Sequence, residues 1–169
     1  SDGMKVAINV TAMILALVAL VAFIDWVLGL GGMFCYKFIP GCSHFAFLSH
    51  LSLKLILGKI FAIFAIILGV PLHDASTVGA LMGTKLVLNE MVAYVGLTHV
   101  AQSIDPKSFM IASFALCSFG NFGSIAIQIG GIGELAPNQK KNLARLGLRA
   151  LICGTLSCYL SAAIVGVLL

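Results

Sequence analysis

Charged residues are scarce in this sequence. Lys, Arg, Asp and Glu together make up 9% of it, whereas hydrophobic residues make up 60%. An average soluble domain carries about 25% charged and about 45–50% apolar residues. Several apolar runs approach or exceed the roughly 20 residues that an α-helix needs to cross a bilayer. The sequence therefore predicts an all-α integral membrane protein and argues against a water-soluble fold.

The sequence also lacks the motifs that usually carry out catalysis. It contains no phosphate-binding loop and no recognisable nucleophile or metal-ligand motif. The histidines are scattered, at His44, His50, His73 and His99. We therefore predict that the chain is not an enzyme and that it holds neither a cofactor nor a metal ion.

The cysteines show no metal-binding or redox spacing. Cys117, Cys153 and Cys158 lie in apolar segments without a C-x-x-C pair, which is typical of packing positions. Cys35 and Cys42 share one segment and would be able to form a disulfide if that segment faces the outside of the cell. The sequence leaves this pairing open.

Hydropathy divides the chain into segments. The predicted order is a spanning helix at about 6–29, an interfacial loop or helix at about 30–52, a re-entrant helical hairpin at about 53–95, a broken helix at about 108–133 and a last spanning helix at about 140–168. The chain opens at Ser1 without an initiator methionine. We expect it to begin partway through a longer protein.

The hairpin is predicted from an apolar run that is too short to cross the membrane. Ile60–Val70 has eleven residues, which as a helix rise about 16 Å against roughly 30 Å of hydrocarbon. A second short run, Val78–Leu88, follows a polar stretch that we expect to form the tip. The polar tip residues are His73, Asp74, Ser76 and Thr77. Alternatively, Leu51–Val70 crosses the membrane, with the lysines near its start reaching the interface.

A cluster of basic residues precedes the last helix and predicts its orientation. The cluster consists of Lys140, Lys141, Arg145 and Arg149. Cytoplasmic loops of membrane proteins carry an excess of Lys and Arg. We therefore expect this loop to be cytoplasmic and the carboxy terminus to be extracytoplasmic.

Glu90 is the first candidate functional residue. It is the only acidic residue in the apolar stretch 78–97, and Asn89 directly precedes it. A carboxylate within the membrane costs several kcal/mol unless it is paired or hydrated, so it indicates a functional site. The alternative is a structural salt bridge to Lys85, five positions earlier, although that spacing aligns poorly on a helix.

The second candidate is the segment around Asn121. Glycines flank this residue in the middle of a long apolar run, which predicts a broken helix of the kind that lines transporter sites. Phe119, Asn121 and Ser124 would meet one ligand only if the helix unwinds there. A carboxylate, an amide, a hydroxyl and an aromatic ring suit a hydroxyl-rich ligand with a flat apolar part, such as a sugar joined to a base. Alternatively, Asn121 bonds a neighbouring helix.

Two longer motifs resemble one transporter family. Gly83–Tyr94 (GTKLVLNEMVAY) and Phe114–Ile127 (FALCSFGNFGSIAI) are similar to segments of the concentrative nucleoside transporters. Shorter matches occur in the same order, at 1–3, 69–71, 130–131, 135–137 and 154–157. Departures from the usual family residues occur at Leu72, Met91, Ser118 and Gly120.

The resemblance implies a carboxy-terminal half that is one inverted repeat of a transporter. It implies that Glu90 and Asn121 bind the ribose hydroxyls with help from Ser124 and that Phe119 flanks the nucleobase. We expect Asn89 and Lys85, which are close to Glu90 in sequence, to support the site. It also implies a homotrimer with a scaffold and a mobile transport domain. The coupling cation, Na+ or H+, would be bound by the amino-terminal half of the same protein, whose residues are not in this sequence.

The predicted function is therefore cation-coupled symport of nucleosides across the cytoplasmic (inner) membrane by an elevator-type movement. The expected partners are a nucleoside, the lipid bilayer, other copies of the protein and its amino-terminal half, with no nucleic acid. The alternative is a transporter or channel for another small polar solute.

Overall fold

The computed structural model describes residues 2–38 and 52–169 and shows a wholly helical architecture in these parts of the chain. The described parts contain seven α-helices, α1 Asp2–Phe38, α2 Leu53–Ile67, α3 Leu72–Val87, α4 Glu90–Val100, α5 Pro106–Leu116, α6 Phe122–Leu135 and α7 Lys140–Leu168. A short 3₁₀ helix, Pro137–Gln139, connects α6 to α7.

Two of the described helical stretches are long and apolar enough to cross a membrane, Gly3–Phe34 and Pro137–Leu168. Their mean hydropathies are 2.6 and 2.0. Helix α1 continues beyond the predicted end near residue 29 as far as Phe38. The rest of the predicted interfacial segment lies outside the described residues, as do Cys42 and the side chain of Cys35.

Helices α2 and α3 form a close antiparallel pair. The turn between them contains Gly69, whose φ of 98° is in the left-handed region that favours glycine. Gly79 on α3 lies so near α2 that an added Cβ would be 2.4 Å from the backbone nitrogen of Ala62. The small residues at this contact therefore allow the two backbones to approach each other closely.

The structure places the polar residues of the predicted tip inside a helix. Pro71 precedes the first residue of α3, and the stretch from His73 to Thr77 forms the first turns of that helix. Proline sets a φ angle that suits a helix start, so the helix begins here despite the polar side chains. One of them, Asp74, is buried and accepts a hydrogen bond from the backbone nitrogen of Asp105 at 2.9 Å. This hydrogen bond links the first turn of α3 to the start of α5.

A second hairpin follows, formed by α3 and α4. The helical path breaks at Leu88 and Asn89, and the Asn89 side chain then caps α4 by accepting a hydrogen bond from Val92 N at 2.9 Å. Leu81 on α3 and Gly96 on α4 lie at equal sequence distances from this break and contact each other. The two helices are therefore antiparallel, and the hairpin tip lies at Leu88–Asn89, far along the chain from the expected tip.

The segment after this hairpin is a discontinuous helix. Helix α5 ends at Leu116, residues 117–121 are irregular, and α6 begins at Phe122. Helix α7 packs against α5, where the Cys158 thiol lies 2.9 Å from the Phe114 carbonyl oxygen. The buried core runs between α2, α3, α5 and α7 and includes Ala65, Val78, Met82, Ile111, Leu116 and Ala162. This core holds the two helix breaks in place.

Candidate binding site

The two helix breaks meet at one hydrogen bond. Glu90 is the first residue of α4, directly after the hairpin tip, and Asn121 is the last residue of the irregular segment before α6. The Asn121 Nδ2 atom donates to Glu90 Oε2 at 2.9 Å. The acid and the amide predicted from separate patterns therefore lie in direct contact.

Asn121 also orders the start of α6. Its backbone is extended, with φ −146° and ψ 167°, and its Oδ1 accepts from Ser124 N at 2.8 Å as an N-cap. The Ser124 hydroxyl lies 3.1 Å from the same Oδ1 and also contacts the carbonyl oxygen of Phe119. Glu90, Asn121 and Ser124 thus form one continuous polar chain. The predicted unwinding of the helix at this point is present.

The contact to Glu90 bears on the alternative interpretation, in which Asn121 has the structural role of bonding a neighbouring helix. Its carboxamide does bond a neighbouring helix, but the partner there is the candidate functional acid. Asn121 is itself buried, at 4% exposure. A buried amide has to find partners for its polar atoms, and those partners belong to the same site.

The polar chain lines a cavity of about 540 Å³. Phe119 borders the cavity, and 80% of its surface is exposed. The opposite wall belongs to α1, where the lining residues are Ile14, Leu17, Val18, Val21, Ala22 and Asp25. One side of the cavity therefore offers a carboxylate, an amide and a hydroxyl, and the other side is mostly apolar.

The supporting residues occupy different places. Asn89 is exposed, caps α4 and lines the cavity. Lys85 is buried, with 1% of its surface exposed, and its Nζ donates to Ser118 Oγ at 2.6 Å and to Ala115 O at 3.2 Å. Within the described residues no ion pair joins Lys85 to Glu90, so the interpretation of Glu90 as half of a structural salt bridge finds no support.

Sequence patterns did not reveal the contribution of α1 to this cavity. The α1 residues that line the cavity belong to an unbroken apolar run, and the sequence of that run does not distinguish cavity-facing positions from lipid-facing ones. Asp25, at the end of that run, resembles an ordinary interface residue in sequence. In the structure its Oδ1 accepts from Leu53 N at 2.6 Å and so joins α1 to the start of α2.

The described residues contain no group of three or more His, Cys, Asp or Glu side chains placed to hold a metal ion. Hydrogen bonds between helix ends form this site, an arrangement that substrate sites take in many membrane transporters.

Comparison with known families extends this assignment. Residues 1–166 match the family described as Na+ dependent nucleoside transporter C-terminus, and the chain belongs to that family. The family predicted from the two motifs is confirmed, and so is the all-α membrane fold of a transporter half.

The relatives include a nucleoside permease and two other proteins named as a transporter and a solute carrier. An uncharacterized transporter of Bacillus subtilis, YutK, is 44% identical over 98% of this chain and 38% of its own length. The nucleoside permease NupC of Helicobacter pylori is 38% identical over 98% of the chain and 38% of its own length. Human solute carrier family 28 member 3 is 34% identical over 99% of the chain and 25% of its own length. The chain thus spans two fifths or less of these relatives.

Solved structures of the transporter CNTnw resemble the chain at 38% identity. A variant in an outward-facing state superposes with a TM-score of 0.82, over 98% of this chain and 39% of that one. CNTnw in an inward-facing substrate-bound state superposes with a TM-score of 0.70, over 97% of this chain and 38% of that one. Each likeness covers about two fifths of the CNTnw chain.

Proposed function

We propose that this chain is the carboxy-terminal part of a protein that imports nucleosides across the cytoplasmic membrane in symport with a cation. The family description and the relative named nucleoside permease support nucleoside transport. The single observation that carries the proposal is the Glu90–Asn121–Ser124 chain on the wall of an otherwise apolar cavity.

The chemistry of this chain fits the two neighbouring hydroxyls of a ribose. Glu90 uses one carboxylate oxygen for Asn121 and keeps further lone pairs for hydroxyl donors. Asn121 uses one of its amide hydrogens for Glu90, and the other is left to donate to a hydroxyl oxygen. A vicinal diol supplies both donors and acceptors, so both side chains are satisfied. Ser124 supports Asn121 by contacting its Oδ1.

The remainder of the cavity fits a nucleobase. Phe119 presents an exposed ring beside the polar chain, and the α1 wall is mostly aliphatic. A flat base gains burial from both surfaces and stacking from the ring. The α1 residues thus belong to the proposed base-binding wall together with Phe119.

Three further features of the proposal concern the whole protein. The family description favours Na+ as the coupling ion, with H+ as the second candidate, and we place the ligands of that ion in the amino-terminal half. We propose a homotrimer with its carboxy termini outside the cell. We also propose an elevator-type movement. The chain superposes on an outward-facing CNTnw variant with a TM-score of 0.82 and on inward-facing CNTnw with one of 0.70, so the matched region differs in conformation between those two structures.

Uptake into proteoliposomes tests the proposal. The full-length protein is reconstituted, and entry of labelled uridine is measured with an inward Na+ gradient, with an inward H+ gradient and with neither. We expect accumulation with one gradient only, and suppression of it by unlabelled uridine or adenosine. Comparing 2′,3′-dideoxyuridine with uridine as competitors tests the diol, because the analogue keeps the base and lacks both hydroxyls.

Two outcomes contradict the proposal. If the protein neither takes up labelled uridine nor binds a nucleoside, the alternative function, transport of another small polar solute, replaces the proposal. If dideoxyuridine competes as well as uridine, then the hydroxyls make no strong contact and the assignment of Glu90 and Asn121 as ribose ligands is wrong.

A further inference from the structure

Lys85 is an unusual residue in this structure because its charge is buried beside the site without touching the cavity. It lies in the last turn of α3, one turn before the hairpin tip that carries Glu90, and 1% of its surface is exposed. It is absent from the residues that line the cavity. A buried ammonium is costly unless it is paired or hydrogen-bonded, so its partners define its role.

Its partners belong to the broken helix. Ala115 lies in the last turn of α5, where the carbonyl oxygens lack partners within the helix. Lys85 Nζ donates to the Ala115 oxygen at 3.2 Å, and the Cys158 thiol lies 3.3 Å from the same oxygen. Ser118, the second partner of Lys85, lies inside the irregular segment, and its Oγ also accepts from Gly120 N at 3.4 Å. The lysine therefore holds both the end of α5 and the backbone that leads to Asn121.

The charges on the α3–α4 hairpin are complementary to the partial charges of the two helix ends at the α5–α6 break. The carboxy-terminal end of a helix carries partial negative charge and the amino-terminal end partial positive charge. Lys85 places its positive charge at the carboxy-terminal end of α5. Glu90 places its negative charge at the amino-terminal end of α6, through the Asn121 cap. One hairpin thus supplies a cation and an anion to the two opposite helix ends.

We propose that Lys85 is a positioning residue of the nucleoside site: its ammonium fixes residues 115–120 so that Asn121 stays aligned with Glu90, and it balances the Glu90 charge within the membrane. Lys85 does not contact the substrate. This inference rests on the proposed function, and it adds a residue that acts on nucleoside affinity through the geometry and charge of the ribose ligands.

Binding measurements on the full-length protein test this proposal. Nucleoside affinity is measured by titration of the purified protein in detergent or nanodiscs for the wild type, Lys85→Met, Lys85→Arg and Ser118→Ala. Methionine keeps most of the length of the lysine side chain without its charge, and arginine keeps the charge. We expect at least a 10-fold loss of affinity for Lys85→Met, a smaller loss for Lys85→Arg, and a loss of about 3-fold for Ser118→Ala, which removes one hydroxyl acceptor. The control is Lys141→Met, at an exposed lysine of α7, and we expect wild-type affinity.

A double-mutant cycle with Glu90→Gln separates charge balance from packing. If the two charges depend on each other, Glu90→Gln costs less in the Lys85→Met background than in the wild type, because the charge that it removes has already lost its counterpart. Equal costs in both backgrounds overturn the charge-balance role. Wild-type affinity in Lys85→Met overturns the positioning role as well.

The outcomes also distinguish this inference from the proposed function. If the wild type binds no nucleoside, the proposed function itself fails. If Lys85→Met does not yield folded protein, Ser118→Ala tests the positioning role instead, because it leaves the lysine in place. Unchanged nucleoside affinity in Ser118→Ala then overturns the proposal. Reduced affinity with an unchanged melting temperature supports it.

Discussion

Replacing Glu90 by glutamine is the sharpest test of the site, because it removes one charge and almost no volume. Asn121 donates to Glu90 Oε2 at 2.9 Å in the structure. The glutamine amide keeps this contact if its oxygen faces Asn121. Its NH₂ group then faces the cavity, where the carboxylate offered an acceptor. The variant therefore presents a donor to hydroxyls that are expected to donate, while the packing stays the same.

The size of the effect follows from the hydrogen bonds that change. A hydrogen bond to a charged group contributes about 1.5–3 kcal/mol and a neutral one about 0.5–1.5 kcal/mol. Replacing two charge-assisted ribose contacts by weaker neutral ones costs about 2–3 kcal/mol in total. At about 1.4 kcal/mol for each factor of ten, nucleoside affinity falls roughly 30- to 150-fold. The melting temperature should change little, because the bond to Asn121 is retained in neutral form and its weakening is offset by the loss of a partly buried charge.

Titration of uridine into the purified full-length variant measures this loss, and Glu134→Gln is the matched control. Glu134 also accepts a hydrogen bond from an asparagine, with Asn9 Nδ2 at 2.8 Å from its Oε2, but it lies at the end of α6 and does not line the cavity. We expect the control to bind uridine within about 2-fold of the wild type, below the roughly 2- to 12-fold effect of one neutral hydrogen bond. Equal affinity in Glu90→Gln and the wild type, with both proteins folded, would refute the role of this carboxylate.

Two more substitutions separate substrate contacts from packing. Phe119→Ala removes a ring that is 80% exposed, so we expect an unchanged melting temperature and a loss of stacking worth about 0.5–1.5 kcal/mol, or roughly 2- to 12-fold in uridine affinity. The control, Leu72→Ala, changes a similarly exposed side chain (78%) and should leave uridine affinity unchanged. Equal affinities in the two variants would contradict the base contact of Phe119. Gly166→Ala places a Cβ 2.2 Å from the Leu68 carbonyl oxygen, and such overpacking costs about 1–3 kcal/mol or more, so the melting temperature should fall. Gly154→Ala, in the same helix with nothing within 4 Å of the added Cβ, should not lower it, and similar melting temperatures for both would show that the close contact of α7 with the α2–α3 turn is not rigid.

The predicted positions of the helix breaks show where local patterns are informative. The glycines on either side of Asn121 indicated an interruption that the structure contains at residues 117–121. The break at Leu88 and Asn89 lacks glycine and proline and lies within an apolar stretch, so the sequence contained little to distinguish it from a continuous helix. The polar residues from His73 to Thr77 suggested a turn but are helical, because side-chain polarity does not prevent backbone hydrogen bonds along a helix.

The sequence by itself determined the membrane class and the family, and it singled out Glu90 and Asn121 as candidate site residues. These conclusions depend on composition and on short motifs, which are local properties. Only the tertiary structure decided that the two residues share a hydrogen bond, that α1 supplies the apolar wall, and that Lys85 bonds Ser118 and Ala115 rather than Glu90. These contacts join helix ends that lie about thirty or more residues apart in the chain, and hydropathy and helical periodicity describe one helix at a time. Which helix ends meet depends on the packing of the whole core, which no single segment encodes.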